Sequence, residues 1–473
     1  MPDTRPSTRV TFAVLAAAAA AFSVLQSLVN PVLPTIQHEL HTTQVTVTWV
    51  LTAYLLSASV ATPLLGRVGD IAGKSRTLLL ALGALAVGSL IAALAPNVGV
   101  LIGARVLQGL GGAIFPLAFG IIRDEFPARS VAGAIGGISG VIAAGGGLAI
   151  VLAGPIVDVL GWRFLFWIPL VVVSAAAFAA HRFLPESPAR GTGRLNWLAA
   201  ALLSGWLVAL LIGLSEVPSH GWSGTPVLGL FGLAIVVAAA WIRVELRSAE
   251  PLIDMRMMRL PGVWTTNLVA LLFGAGMFSI LVFLPQFLQT PSSEGYGFGV
   301  SVTGSGLLLV PMLVAMTVGG SLSGSIADTV SAKAQLAWGS FFSVLACATF
   351  TVSHGHAWEV SAAGTVLGLG LGLAYASMTN LVVHNVPAHQ TGVASGMNAN
   401  IRNIGGAIGT ALVSSVITSG LQPGGVPREA GYTHGFLLLT AFSAVAVAVA
   451  LLVPGGRSGE RRWLRTPATA EAR

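Results

Sequence analysis

One pattern repeats along the chain: an apolar run of about 20 residues, nearly free of charge, followed by a short polar joint. A helix of that length crosses the hydrocarbon core of a bilayer and satisfies all of its own backbone groups there. Runs of this kind predict helices over about Thr11–Leu33, Val47–Leu65, Thr77–Ala95, Gly99–Ile122, Val131–Ala153, Arg163–Phe183, Asn196–Leu214, Thr225–Trp241, Thr265–Leu288, Gly304–Ile326, Gln335–Val352, Val360–Leu381, Gly392–Ile417 and Gly435–Val453. The expected fold class is an all-α polytopic membrane protein with fourteen transmembrane helices.

Composition and charge support this. Charged residues make up 9% of the 473 and hydrophobic residues 54%, where a soluble domain carries about 25% charge. Cytoplasmic joints of membrane proteins collect Lys and Arg. With the N-terminus inside and the spans alternating, all but four of the 24 basic residues fall on inner segments. Arg163 and Arg428 lie outside, and Arg105 and Arg402 lie within spans. Both termini are thus expected in the cytoplasm, and the net charge of +7 reads as an orientation signal that calls for no nucleic-acid partner. Parity alone would allow twelve spans. The turn from Glu216 to Thr225 contains no Lys or Arg and separates two uncharged runs, which favours fourteen. The first run has no charge from Val10 to Gln37, longer than the roughly 7–15 residues of a signal-peptide core, so it is expected to be retained. Cys347 is the single cysteine, inside an apolar run, and reads as a small buried hydrophobe. Arginine far outnumbers lysine and Ala and Gly abound, as in a high-GC bacterium, and for a polytopic chain from such a source the expected location is the inner membrane.

The densest charge lies between the second and third runs, in Gly66-Arg67-Val68-Gly69-Asp70-Ile71-Ala72-Gly73-Lys74-Ser75-Arg76. Gly73-Lys74-Ser75 looks like the end of a phosphate-binding loop. That loop needs a glycine five residues before the G-K-S, so that backbone amides ahead of the helix cradle phosphate. Val68 stands there, and no strand signal precedes it, so a nucleotide site is excluded and a charged hairpin stands.

In that position the stretch resembles the signature of the major facilitator superfamily, close to G-x-L-A-D-R-x-G-R-K-x. Gly66, Asp70, Gly73 and Lys74 match in register, Arg76 stands near the basic end, and Ile71 replaces the usual arginine. Leu101 through Ala113 fits the family's fourth-helix motif, L-x-x-x-R-x-x-Q-G-x-G-x-A, at every fixed position. Gly154-Pro155 fits part of the fifth-helix antiporter motif, with Asp158-Val159 where a glycine pair is usual. Gly161 through Trp167, and Gly392 through Arg402 to Gly409, resemble patterns of fourteen-helix drug:proton antiporters. Gly324 through Asp328, with Lys333, is a worn copy of the opening hairpin.

The resemblance implies a fold of two six-helix halves, 1–183 and 260–456, joined by two additional helices in 184–259 and ending in a basic tail, 457–473. It implies a secondary transporter exporting small hydrophobic compounds or antibiotics by proton antiport, without cofactor, metal or enzymatic activity, and working as a monomer in the bilayer. The conformational gate would comprise Gly66, Asp70, Gly73, Lys74, Arg76, Asp124 and Asp328, with Asp124 the partner of the hairpin and Asp70 meeting the positive end of the next helix.

One departure matters. The subfamily's first helix usually reads L-D-x-T-I-V-N-V-A-L-P, and the register kept by Asn30, Leu33 and Pro34 puts Leu25 where the aspartate would stand. No Asp or Glu lies deep in any span; Asp158 and Asp124 come closest, so the proton carrier is unassigned. The interior does hold Arg105 and Arg402. An ionised residue at the centre of a span costs roughly 2.5–3.5 kcal/mol on insertion scales and usually faces a cavity or a partner. Arg105 reads either as a latch on backbone carbonyls of the first helix or as part of a cavity favouring neutral, zwitterionic or anionic solutes. That cavity would be touched by Gln26, Asn30, Arg105, Gln108, Gln286, Asn398 and Arg402. Trp49, Tyr54, Trp167, Trp206, Trp264 and Tyr375 read as interfacial aromatic belts rather than a stacking pocket. The glycine pairs Gly136/Gly140, Gly320/Gly324, Gly368/Gly372 and Gly405/Gly409 allow close helix packing. His354 and His356 read as a solvated outer turn. A uniporter or importer of a neutral or anionic metabolite, and a non-transport membrane sensor, remain open at this level.

Overall fold

The computed structural model describes residues 8–42, 44–186, 196–248, 251–387, 390–418 and 427–454. Fourteen long helices account for most of them. In chain order they are α1 (Thr8–Leu28), α2 (Gln44–Ala72), α3 (Lys74–Ala93), α4 (Val98–Glu125), α5 (Ala128–Leu160), α6 (Phe164–Phe183), α7 (Trp197–His220), α8 (Thr225–Arg247), α9 (Pro261–Gln289), α10 (Val302–Ser325), α11 (Ala332–Val352), α12 (Ala357–His384), α13 (Thr391–Ile417) and α14 (Glu429–Leu452). Among the described residues, 13 are long and apolar enough to cross a membrane. The one that falls short is α13, whose 27 residues include Asn398, Asn400, Arg402 and Asn403. The basic tail, Arg190 and Arg194 lie outside the described residues.

Helix ends follow local chemistry. The side chains of Asn97, Asn196, Ser301 and Ser331 accept from backbone N–H groups three residues on, capping α4, α7, α10 and α11. The α2–α3 joint is tighter than its charge suggested. The apolar run stops at Leu65, yet α2 continues to Ala72 and only Gly73 separates it from α3. Gly73 has φ +114°, and a Cβ there would run into the Glu186 carboxylate, so glycine is required twice over. The fourth helix is α-helical to Gly109, tightens to a 3-10 turn over Leu110–Ala113 and resumes at Ile114. The glycines let it pass close to α2: a Cβ on Gly112 would fall 2.6 Å from the Thr62 hydroxyl.

The helices form two groups of six, α1–α6 and α9–α14, each with internal packing of its own. Between the groups the main seams are α5 on α10 and α2 on α13, with α4 also touching α13. The α5–α10 seam is made of backbone. A Cβ on Gly136 would sit 2.7 Å from the Gly320 carbonyl oxygen, and one on Gly324 would sit 2.5 Å from Gly133 Cα. Within the second group, Cβ atoms on Gly368, Gly372 and Gly405 would strike the carbonyl oxygens of Met312, Met316 and Leu271. Large side chains such as Leu80, Val171, Phe178, Ile235 and Leu452 are exposed on the outside of the bundle, as a lipid-facing surface requires.

The additional pair, α7 and α8, forms a hairpin at the edge of the cleft between the groups. α7 touches both α2 and α13. Leu203 and Leu207 of α7 share an apolar cluster with Leu64 of α2, with Val393 and Met397 of α13, and with Leu252, Ile253 and Met257 from the segment after α8. The Trp206 and Trp241 rings lie 6.0 Å apart, tying the hairpin together. α8 itself is mostly exposed, with Val227, Ala234, Trp241 and Glu245 its buried residues among those described.

Candidate functional site

One end of the bundle, where α2 meets α3 and α4 meets α5, carries most of the basic side chains; we call it the basic face. It is built around buried charge. Lys74 Nζ donates to Asp124 Oδ2 at 2.6 Å and lies 3.7 Å from Asp70 Oδ1, and none of the three side chains is more than 2% exposed. This ties α2, α3 and α4 together, and Gly120 leaves the room along α4 that the Lys74 stem fills. Asp70 also reaches across to the second group, where its Oδ2 accepts from Val393 N at 3.3 Å. Val393 is the third residue of α13, whose own N-cap, Gln390, makes no side-chain bond. A carboxylate from one group thus caps a helix of the other and meets its positive dipole end. The sequence expectation had Asp70 meeting the following helix; Asp70 instead closes α2, and the helix end it meets is that of α13.

Arg123 strengthens the same closure. Its guanidinium donates to Thr391 Oγ1 at 2.6 Å and to the Val386 carbonyl at 2.7 Å, holding the α12–α13 joint. Asn400 Nδ2 of α13 donates to the Ser59 carbonyl of α2. Arg76 does not enter this cluster: its side chain is 71% exposed and pairs with Glu186 at 3.3 Å. Asp328 is exposed in the α10–α11 joint. The second group holds that joint with neutral bonds, Ser323 Oγ to Gln335 Oε1 at 2.5 Å, Ser377 Oγ to the same oxygen at 3.1 Å and Gln335 Nε2 to the Val330 carbonyl at 2.8 Å.

Between the groups, displaced away from the basic face, lies a cavity of about 130 Å³. α1, α2, α4 and α5 wall it from one side with Phe22, Gln26, Tyr54, Phe115 and Gly147. α9, α10, α12 and α13 wall it from the other with Met277, Phe278, Leu313, Met316, Tyr375 and Arg402. Phe22 anchors an aromatic cluster, its ring 5.0 Å from Phe115 edge-on and 6.1 Å from Tyr54 stacked. A smaller pocket toward the basic face is lined by Phe119, Thr379, Ser395 and Asn398 and shares Phe115, Ala399 and Arg402 with the main cavity.

Of the residues expected to touch one cavity, Gln26 and Arg402 line the main one, and Asn398 lines the smaller. Asn398 is engaged, donating to Asn267 Oδ1 at 2.9 Å. Arg105 and Gln108 are fully buried behind the wall. Arg105 Nε donates to the Val50 carbonyl at 3.2 Å, Nη1 donates to Gln108 Oε1 at 2.7 Å, and Gln108 Nε2 passes the chain on to Ser89 Oγ at 3.0 Å. The backbone carbonyl that Arg105 latches therefore belongs to α2, not to the first helix. Gln286 is exposed near the end of α9, away from the cavity. Asn30 falls in the turn Asn30–Val32, and its side chain is outside the described set. Gly154 faces Thr303 across the α5–α10 seam, and α5 runs through Pro155 without interruption. Asp158 is exposed in the last turn of α5. His354 and His356 contact Glu429 at 3.1 Å and Glu359 at 3.4 Å.

The sequence reading missed the two tyrosines. Tyr54 and Tyr375, expected at the bilayer interfaces, are 2% and 5% exposed and face the cavity from opposite sides. Each lies under an arginine: Arg105 is 4.1 Å above the Tyr54 ring and Arg402 is 4.4 Å above the Tyr375 ring. Each Arg–Tyr pair comes from two different helices, so the association was visible only as an arginine with no acid to pair with.

Comparison with known proteins agrees with this architecture. Residues 15–410 match the family model described as Major Facilitator Superfamily. The chain is 30% identical over 395 residues to the tetracenomycin C resistance and export protein of Streptomyces glaucescens, covering 82% of this chain and 71% of that one. It is 30% identical over 465 residues to the cephamycin export protein CmcT of Amycolatopsis lactamdurans, covering 95% and 93%. In structure it resembles the human organic anion transporter MFSD10 (TETRAN), with a TM-score of 0.69 over 94% of this chain and 100% of that one; at 16% identity this concerns the fold alone.

Proposed function

The chain belongs to the major facilitator superfamily, and from that premise we propose that it exports small hydrophobic compounds or antibiotics by alternating access. The observation that carries the reading is the cavity held between the two six-helix groups, with its basic-face end bridged by hydrogen bonds across the groups from Asp70, Arg123 and Asn400. Breaking those few bonds would open the cavity toward the basic face without unfolding either group. The relatives named above, an antibiotic resistance and export protein and a cephamycin export protein, supply the substrate class. We place the protein in a bacterial inner membrane as a monomer, with the basic face and both termini cytoplasmic, because Lys and Arg accumulate on that side.

The driving ion is read as the proton, with Asp124 and Asp158 as the candidate carriers, and this part competes with uniport. The observation favouring the rival is that the residues lining the cavity include no carboxylate among those described. Efflux of an antibiotic substrate from proteoliposomes, measured with and without an imposed pH gradient, decides between them. Flux that follows the gradient supports antiport; flux indifferent to it supports a uniporter. A deletion strain with unchanged susceptibility across a broad antibiotic panel, together with no flux in vesicles, would end the export reading.

A further inference from the structure

The charge inside the cavity is one-sided. Among the described residues that line it, Arg402 alone carries a formal charge; the others are aromatic, aliphatic or neutral polar. Arg402 is 6% exposed, and among the described residues it bonds only to Tyr375, with Nη2 donating to the hydroxyl at 3.0 Å and the guanidinium stacked on the ring. Neither contact supplies a negative charge. Arg105 shows how this protein holds a guanidinium for structure alone, with Nε on a carbonyl and Nη1 on a glutamine behind a closed wall, and Nη2 facing the Tyr54 side without a hydrogen-bond partner among the described residues. Arg402 is placed differently: it lines both the main cavity and the smaller pocket, so that it stands on the way between them. The smaller pocket adds the Ser395 hydroxyl, buried without a hydrogen-bond partner among the described residues, and so a second donor for an incoming acceptor.

A cation within the low-dielectric interior is stabilised by an anion that arrives with its own charge, and a guanidinium fork matches a carboxylate in two parallel hydrogen bonds. Aromatic rings opposite, from Phe22 and Phe115, offer a flat apolar body a surface. We propose that Arg402 is a specificity-determining residue, and that the cavity selects lipophilic aromatic compounds bearing a carboxylate over neutral and cationic compounds of the same shape. This rests on the export reading and narrows its substrate class.

The test uses the purified full chain in detergent and three probes of one skeleton: 2-naphthoate, 2-naphthamide and 2-naphthylmethylammonium, with dissociation constants from titration calorimetry. The wild-type protein should bind the carboxylate about tenfold or more tightly than the amide, the discrimination a charge-assisted hydrogen bond supplies. R402Q should bring acid and amide together, and R402K, which keeps the charge but loses the fork, should fall between them. Equal binding of acid and amide by the wild type, or a preference for the cation, overturns the inference while leaving export of neutral or cationic drugs intact in the susceptibility panel. Binding of none of the three overturns it together with the assignment of this cavity as the substrate site. Because the selectivity is read first on the wild type, the result does not depend on a variant that fails to fold.

Discussion

Arg105 in the first six-helix group and Arg402 in the second each lie over a tyrosine that lines the cavity, yet their surroundings differ. Arg105 is sealed in, bonded to Val50 and Gln108, with Tyr54 between it and the cavity. Arg402 faces the cavity beside its tyrosine. The same division appears at the basic face, where the first group buries Asp70, Lys74 and Asp124 while the second closes the equivalent joint with Ser323, Gln335 and Ser377. One group uses buried charge for its own integrity and for closure. The other keeps its joint neutral and leaves its arginine beside the substrate cavity.

If that division is real, substitutions at matched places should separate by size. The largest effect is expected at Asp124, because D124A leaves Lys74 fully buried with only Asp70 at 3.7 Å; breaking a buried pair costs about 3–5 kcal/mol. Q335L in the second group should cost about 1–3 kcal/mol, since it removes the partners of the Ser323 hydroxyl and the Val330 carbonyl. Thermal unfolding of the two variants in detergent compares them, and equal losses would dissolve the contrast. Next come the arginines. R105Q removes the bond to the Val50 carbonyl and the donor to Gln108 Oε1 and should lower stability by about 2 kcal/mol, reducing transport of acidic and neutral substrates alike. R402Q should lower stability less, by about 1.5 kcal/mol, with its effect on transport confined to substrate selection; measuring melting temperature beside flux for both variants checks this. The smallest effects belong to the ring hydroxyls. Y375F loses the bond from Arg402 and should cost about 1 kcal/mol. The Tyr54 hydroxyl is buried without a partner among the described residues, so Y54F should lie within about 0.5 kcal/mol of the wild type. A loss at Y54F equal to that at Y375F would mean the first pair is not the closed structural unit drawn here.

Much of this was legible in the residues. The spans follow from hydrocarbon thickness, and Lys74 with Asp124 follows from a charged hairpin opposite the end of the fourth helix. Even α13, the most polar of the fourteen, was read as a span over Gly392–Ile417. What stayed hidden was direction. The sequence places Arg105 and Arg402 inside spans but does not say which face of the helix each occupies, because runs apolar all round carry little periodicity to read. Tyr54 and Tyr375 looked like belt residues for the same reason. The bond from Val393 to Asp70 joins positions 323 residues apart, and no local pattern announces that a carboxylate will cap a helix in the other group. Gln286 was expected at the cavity on residue type alone, and residue type does not carry position.

The α5–α10 seam has a consequence for how such a protein can change over time. A helix contact made by side chains can drift, since a larger residue on one side is answered by a smaller one on the other. Where backbone meets backbone there is nothing left to shrink. Alanine at Gly136 meets the Gly320 carbonyl, and alanine at Gly324 meets Gly133; no substitution on the facing helix can restore the space. These positions therefore have no single-step neighbours in sequence space that keep the two helices at this distance, whatever compound the cavity beside them comes to carry.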